Sequence, residues 1–126
     1  MTGEPTARQR LGAFGERYAA RLLEERGHTI VTRGWRCGAG EIDLVTLDGV
    51  ELVFVEVRTR RGDRYGTPEE SITGRKAARL LRLGDRFLAE HPEHEGRIWR
   101  VDLVALVLDR AGRIVRATHH VNAVVG

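Results

Sequence analysis

Residues 40–60, GEIDLVTLDGVELVFVEVRTR, constrain the fold of this chain more than any other stretch. Apolar residues on both sides of Asp48-Gly49 predict two β-strands, 41–47 and 51–60, joined as an antiparallel hairpin. Yet Glu41, Asp43 and Glu56 fall inside those strands, and a carboxylate among apolar side chains is costly unless a cation meets it. With Asp48 and Gly49 as a two-residue turn, Leu47 pairs with Val50, Asp43 lies opposite Phe54 and Glu41 lies opposite Glu56. Directly opposed residues share a sheet face, as do residues two apart, so Glu41, Asp43, Glu56 and Arg58 project to one side. Ile42, Leu44, Val53, Val55 and Val57 fill the other. A four-residue loop preserves this arrangement, whereas a three-residue loop sends Asp43 to the opposite face.

Two kinds of cation answer such a cluster. One is arginine, with Arg36, Arg58 and Arg60 within reach along the strands. The other is a hard divalent ion, Mg²⁺ or Mn²⁺, which takes oxygen ligands from carboxylates and keeps several waters. An ion held in that way polarises a phosphodiester and lowers the pKa of a bound water.

The rest of the chain frames the hairpin. Thr6 to Arg26 reads as a helix, with Leu11, Phe14, Gly15, Tyr18, Ala19 and Leu22 on one face and Gly27 as its stop. Residues 28–35 alternate as a strand. At Thr67 the run TPEE predicts a helix start, with Thr as cap and Pro in the first position, although Gly74 interrupts it. Ala77, Leu80, Leu81, Gly84, Phe87 and Leu88 then form an amphipathic stripe. Residues 97–108 read as a buried strand and 113–121 as a last strand. The order α-β-β-β-α-β-β over residues 1–126 implies one α/β domain with a central mixed sheet flanked by helices.

The single cysteine, Cys37, excludes an internal disulfide and suits a reducing cytoplasm. No apolar run approaches a membrane span, so no membrane role is expected. The net charge is +3, and of the 21 basic residues only Lys76 is a lysine. That balance fits a polyanionic partner. Arg58, Arg60, Arg61 and Arg64 run from the third strand into a polar loop carrying Tyr65, a set suited to clamping phosphates and stacking on a base. Lys76, near the start of the second long helix, is placed to reach towards the sheet. The five histidines lack the cysteine or HExxH pattern of zinc sites, and those of HPEHE and HH read as polar surface. Asp102, in RVDLVAL, reads as the partner of an arginine such as Arg100 or Arg36.

The acid of GEIDLV (40–45), followed by acid-x-basic in FVEVRTR (54–60), resembles the PD-(D/E)XK nuclease signature. Gly12, Gly15, Glu16 and Ala19, then Gly66, Lys76 and RVDLVAL (100–106), extend the likeness nearly end to end. By these motifs the chain is identified as a member of the YraN-like family of small endonuclease-like proteins, similar in fold to Holliday-junction resolvases. The resemblance implies a restriction-endonuclease-like fold and metal-dependent hydrolysis of DNA, including branched or otherwise structured DNA. It implies Asp43 and Glu56 as metal-binding acids, with Glu41 in support, and Glu16 as an acid reaching the same site from the first helix. Two-strand cutting by resolvase-like enzymes uses two sites and implies a homodimer. One position departs from the pattern: Arg58 stands where the superfamily has lysine. Arginine supplies charge and a phosphate-binding fork, but does not release a proton near neutral pH. The alternative is therefore a catalytically impaired nucleic-acid-binding module of the same fold, acting with repair or recombination partners.

Overall fold

The first helix forms where its capping chemistry places it. Thr6 accepts a hydrogen bond from the Gln9 amide at 3.1 Å while the Gln9 side chain accepts from the Thr6 amide at 2.8 Å. This capping box starts α1, Ala7–Glu25. Gly27, at φ +93°, turns the chain out of it. In the computed structural model, which describes residues 3–62 and 64–124, five strands follow the order of the sequence across one sheet. They are β1 (Thr29–Cys37), β2 (Gly40–Asp48), β3 (Glu51–Arg61), β4 (Trp99–Leu108) and β5 (Ile114–Val124). Only β3 and β4 are parallel, and α2 (Gly74–Glu90) makes the crossover that parallel neighbours need. The expected architecture, a mixed sheet flanked by helices in the order α-β-β-β-α-β-β, is present.

The sheet has an apolar cluster on each side. Ala19, Ala20 and Leu23 of α1 pack with Leu44, Val53, Val55, Val104 and Leu106. Leu80, Leu83 and Phe87 of α2 pack with Ile42, Val45, Leu52, Phe54 and Val101. Ile42 thus belongs to the α2 side, not with Leu44 as strict alternation predicts. The cause is a bend at the next residue: Gly34, at φ +63°, lies between the pairs Arg33–Leu44 and Trp35–Ile42, opposite Asp43.

Two expectations are corrected. The helix predicted from Thr67 is only a 3₁₀ turn, Glu69–Ser71, after which Ile72 is extended, and α2 begins at Gly74 under the Thr73 cap. Ile72 packs against the α2 cluster, which its extended conformation permits. The hairpin register is displaced by two residues, running from Asp48–Glu51 to Leu44–Val55. The turn residues are Gly49 and Val50, with the one positive φ (+62°) at Gly49, the first central position at which a II′ turn places glycine. Arg100 holds this register, since it ion-pairs Asp48 at 3.0 Å and Glu51 at 2.6 Å on the two strands at once. A displacement of two keeps the parity of the pairing, so Leu44, Val53 and Val55 share the face expected of them, whereas Ile42, beyond the bend, does not.

Candidate metal centre and nucleic-acid cleft

Beyond Leu44–Val55, β2 peels away from β3, and Asp43 is the first residue in the gap. Its Oδ2 accepts a hydrogen bond from the Val57 amide at 2.8 Å, replacing the lost ladder bond. The gap opens into a cleft of about 730 Å³ whose lining includes Glu16, Glu41, Asp43 and Glu56.

Glu16 arrives there because α1 crosses β3 at a glycine. A Cβ on Gly15 would lie 2.2 Å from Thr59 Oγ1, so only glycine permits this approach. Glu16, Glu41 and Asp43 each offer an oxygen, all within 4.8 Å of one another. Glu56 is outside that set. It is pressed against Asp43 and held by Arg58, whose Nη2 lies 2.6 Å from Glu56 Oε2. Glu41 is met by Arg36 Nε at 3.2 Å. Among the described residues, no ion pair reaches Asp43 or Glu16. Arginine therefore answers two of the four carboxylates, and two remain unmatched.

The electrostatics register the shortage. Burial, then the charges of Asp43 and Glu41, push the Glu16 carboxyl up to about 7, with Arg36 opposing. Burial, then the charge and hydrogen bond of Asp43, push Glu56 up to about 8 against Arg58 and Arg79. Both carboxyls are raised first by their burial and then by neighbouring carboxylates, an arrangement in which a nearby cation would favour the charged forms. The donors are all carboxylate oxygens, which suits a hard ion such as Mg²⁺ or Mn²⁺ and not zinc.

The cleft is also rimmed with arginine: Arg8 from α1, Arg58, Arg60 and Arg61 from β3, and Arg79 from α2. Of the anticipated phosphate contacts, Arg60 and Arg61 lie here. Arg64 and Tyr65 lie in the loop beyond, with the Arg64 guanidinium carbon 5.6 Å from the Tyr65 ring centre and Tyr65 91 % exposed. Asp63 of that loop lies outside the described residues. Lys76 is not part of the lining; α2 contributes Arg79 instead, one helical turn later. The i,i+3 spacing from Lys76 is the signal that could have identified Arg79.

The remaining candidates are structural. Asp102 is fully buried. Arg100 Nε donates to it at 2.9 Å, His119 Nε2 at 2.8 Å and the Asn122 amide at 2.8 Å. His94 is buried and His91 stacks on Phe87 at 3.8 Å, so these two are packed and not the polar surface expected, and His28 is buried as well. Cys37 packs against the α2 cluster. No described helix is long and apolar enough to cross a membrane.

Residues 15–106 match the model of a family described as "Uncharacterised protein family UPF0102". A UPF0102 protein of Roseiflexus castenholzii is 49 % identical over 119 residues, 94 % of each chain. One from Beutenbergia cavernae is 51 % identical over 106 residues, covering 84 % of this chain and 89 % of that one. One from Pelotomaculum thermopropionicum is 49 % identical over 117 residues, covering 93 % and 97 %.

Proposed function

The chain belongs to the uncharacterised protein family UPF0102, the YraN-like family its motifs indicate, and we propose that it is a divalent-metal-dependent endonuclease of PD-(D/E)XK type acting on DNA. The observation that carries this reading is the cleft itself: four carboxylates, two without a matching cation, inside a rim of five arginines. Asp43, Glu41 and Glu16 would hold Mg²⁺ or Mn²⁺, with Glu56 completing the set once released from Arg58. The ion supplies Lewis acidity towards a phosphoryl oxygen and lowers the pKa of attacking water.

The protein's own groups perform the remaining work. Arg60, Arg61, Arg8 and Arg79 seat the sugar-phosphate backbone, which fixes position without reading sequence. Tyr65, exposed on its loop, offers a face for a base. Arg58 supplies positive charge at the lysine position and stabilises charge developing on the phosphate, but it does not take the proton of water. Cleavage of structured or branched DNA, in the cytoplasm and through two copies of the chain, is the form of activity this reading favours.

The test is Mg²⁺- and Mn²⁺-dependent cleavage of labelled duplex, single-stranded and four-way-junction DNA, with Asp43→Asn as control. Cleavage that Asp43→Asn abolishes is expected. A second reading, a binding module that cuts nothing, is favoured by one observation, the Arg58–Glu56 ion pair that occupies a ligand carboxylate. DNA binding without cleavage, together with cleavage gained in Arg58→Lys, would establish it.

A further inference from the structure

Arg58 does two incompatible things in one place. Its Nη2 grips Glu56 at 2.6 Å, and the side chain is only 22 % exposed. In that pose its Nε is buried with no hydrogen-bond partner. A buried donor left unsatisfied is costly, and native structures rarely keep one without a reason. Glu56, so held, lies outside the three-carboxylate cluster although it is pressed against Asp43. A guanidinium on Glu56 and a divalent ion on the same carboxylate would repel each other across a small gap. Arg60 and Arg61, on the same strand, line the same cleft where a phosphate backbone would lie. A guanidinium turned towards a phosphate makes a bidentate contact that uses Nε as well as an Nη.

We infer that Arg58 is a latch: without nucleic acid it holds Glu56 away from the cation site, and a bound phosphate draws it off, so that polyanion and divalent ion bind cooperatively. This rests on the metal-centre reading above. Linkage makes the effect reciprocal, each ligand raising affinity for the other by the same factor.

The test measures Mn²⁺ binding by electron paramagnetic resonance at pH 8.5, without nucleic acid, on four chains: native, Arg58→Gln, Glu56→Gln and the double variant. Circular dichroism melts establish that each is folded. Arg58→Gln is expected to bind Mn²⁺ about tenfold more tightly than native, the scale of one charge-assisted hydrogen bond. That gain should vanish in the Glu56→Gln background. In a parallel arm, the Arg58 Nε resonance of the native chain is followed by ¹⁵N NMR while a short single-stranded oligodeoxynucleotide is added without metal, and it should shift. An equal gain in both backgrounds, or an Nε signal that DNA leaves unmoved, would overturn the latch while leaving the metal centre standing. Native binding unimproved by Arg58→Gln would do the same. No Mn²⁺ binding by any of the four would overturn both.

Discussion

The two ends of the β2–β3 hairpin carry the same kind of residue in opposite electrostatic states. At the turn end, one guanidinium answers three acids: Arg100 contacts Asp48 at 3.0 Å, Glu51 at 2.6 Å and Asp102 at 2.9 Å. Burial alone would raise the Asp102 carboxyl, but hydrogen bonds from His119, Arg100 and the Asn122 amide outweigh it and hold the group below its usual range. At the open end, four carboxylates share two arginine contacts, and two of them rise to about 7 and about 8. A fold needs its buried charges matched, and the turn end shows that this chain can match them. The shortage at the open end is therefore a property of the site, and the cation proposed above would relieve it.

The largest effect that would break this contrast is at the matched end. Arg100→Ala should cost about 3–5 kcal/mol in urea unfolding, since it removes the guanidinium from a fully buried Asp102 and leaves it His119 and the Asn122 amide. Asp43→Asn, by removing a like charge from an overloaded cluster, should leave stability equal or higher without metal. A comparable loss from both would erase the distinction.

Next in size is Gly15→Ala. A methyl 2.2 Å from Thr59 Oγ1 must push α1 off β3, costing about 1–3 kcal/mol and withdrawing Glu16 from the site, so Mn²⁺ affinity should fall as well. Gly12→Ala has open space around it and should stabilise by about 0.5–1 kcal/mol, the helix preference for alanine.

The two ends also predict opposite limbs of a stability-against-pH curve. Carboxyls raised in the folded state stabilise it fully below their unfolded pKa near 4.5, and that contribution is lost as pH rises towards about 7 for Glu16 and 8 for Glu56. The depressed Asp102 contributes above its unfolded pKa of 3.8 and loses that as pH falls below it. Thermal melts should peak between about pH 3.8 and 4.5 and decline on both sides. Glu56→Gln should flatten the alkaline limb, and saturating Mg²⁺ should lift it. The smallest effect is on the rim: Lys76→Ala should change DNA affinity less than Arg79→Ala by fluorescence anisotropy, because only Arg79 lines the cleft.

Much of this was legible in the chain. Alternation and Asp-Gly located the hairpin, the apolar stripe from Leu11 to Leu22 and Gly27 located α1, and the parity of the strands placed Asp43 with Glu56. The hairpin offset was not legible, because Arg100 sets it from a strand about fifty residues away. Nor was the parting of β2 from β3: Ile42 and Leu44 look alike in sequence but face different helices across the bend at Gly34 and Asp43. Glu16 has no local signal for its role. What brings it in is the contact of Gly15 with Thr59, which only the packed helix and sheet create. The histidines misread as surface are polar residues with partners distant in sequence, as Asp102 is for the buried side chain of His119 at 2.8 Å.

The most direct test of the central claim is calorimetric titration of Mn²⁺ into the native chain and Asp43→Asn at pH 6.5 and pH 8.5, in buffers of different ionisation enthalpy. Binding should be tighter at pH 8.5, should release protons at pH 6.5 as Glu16 gives its up, and should be lost in Asp43→Asn. Binding that is absent, indifferent to pH, or unchanged by Asp43→Asn would show that the open end of the hairpin is not a cation site.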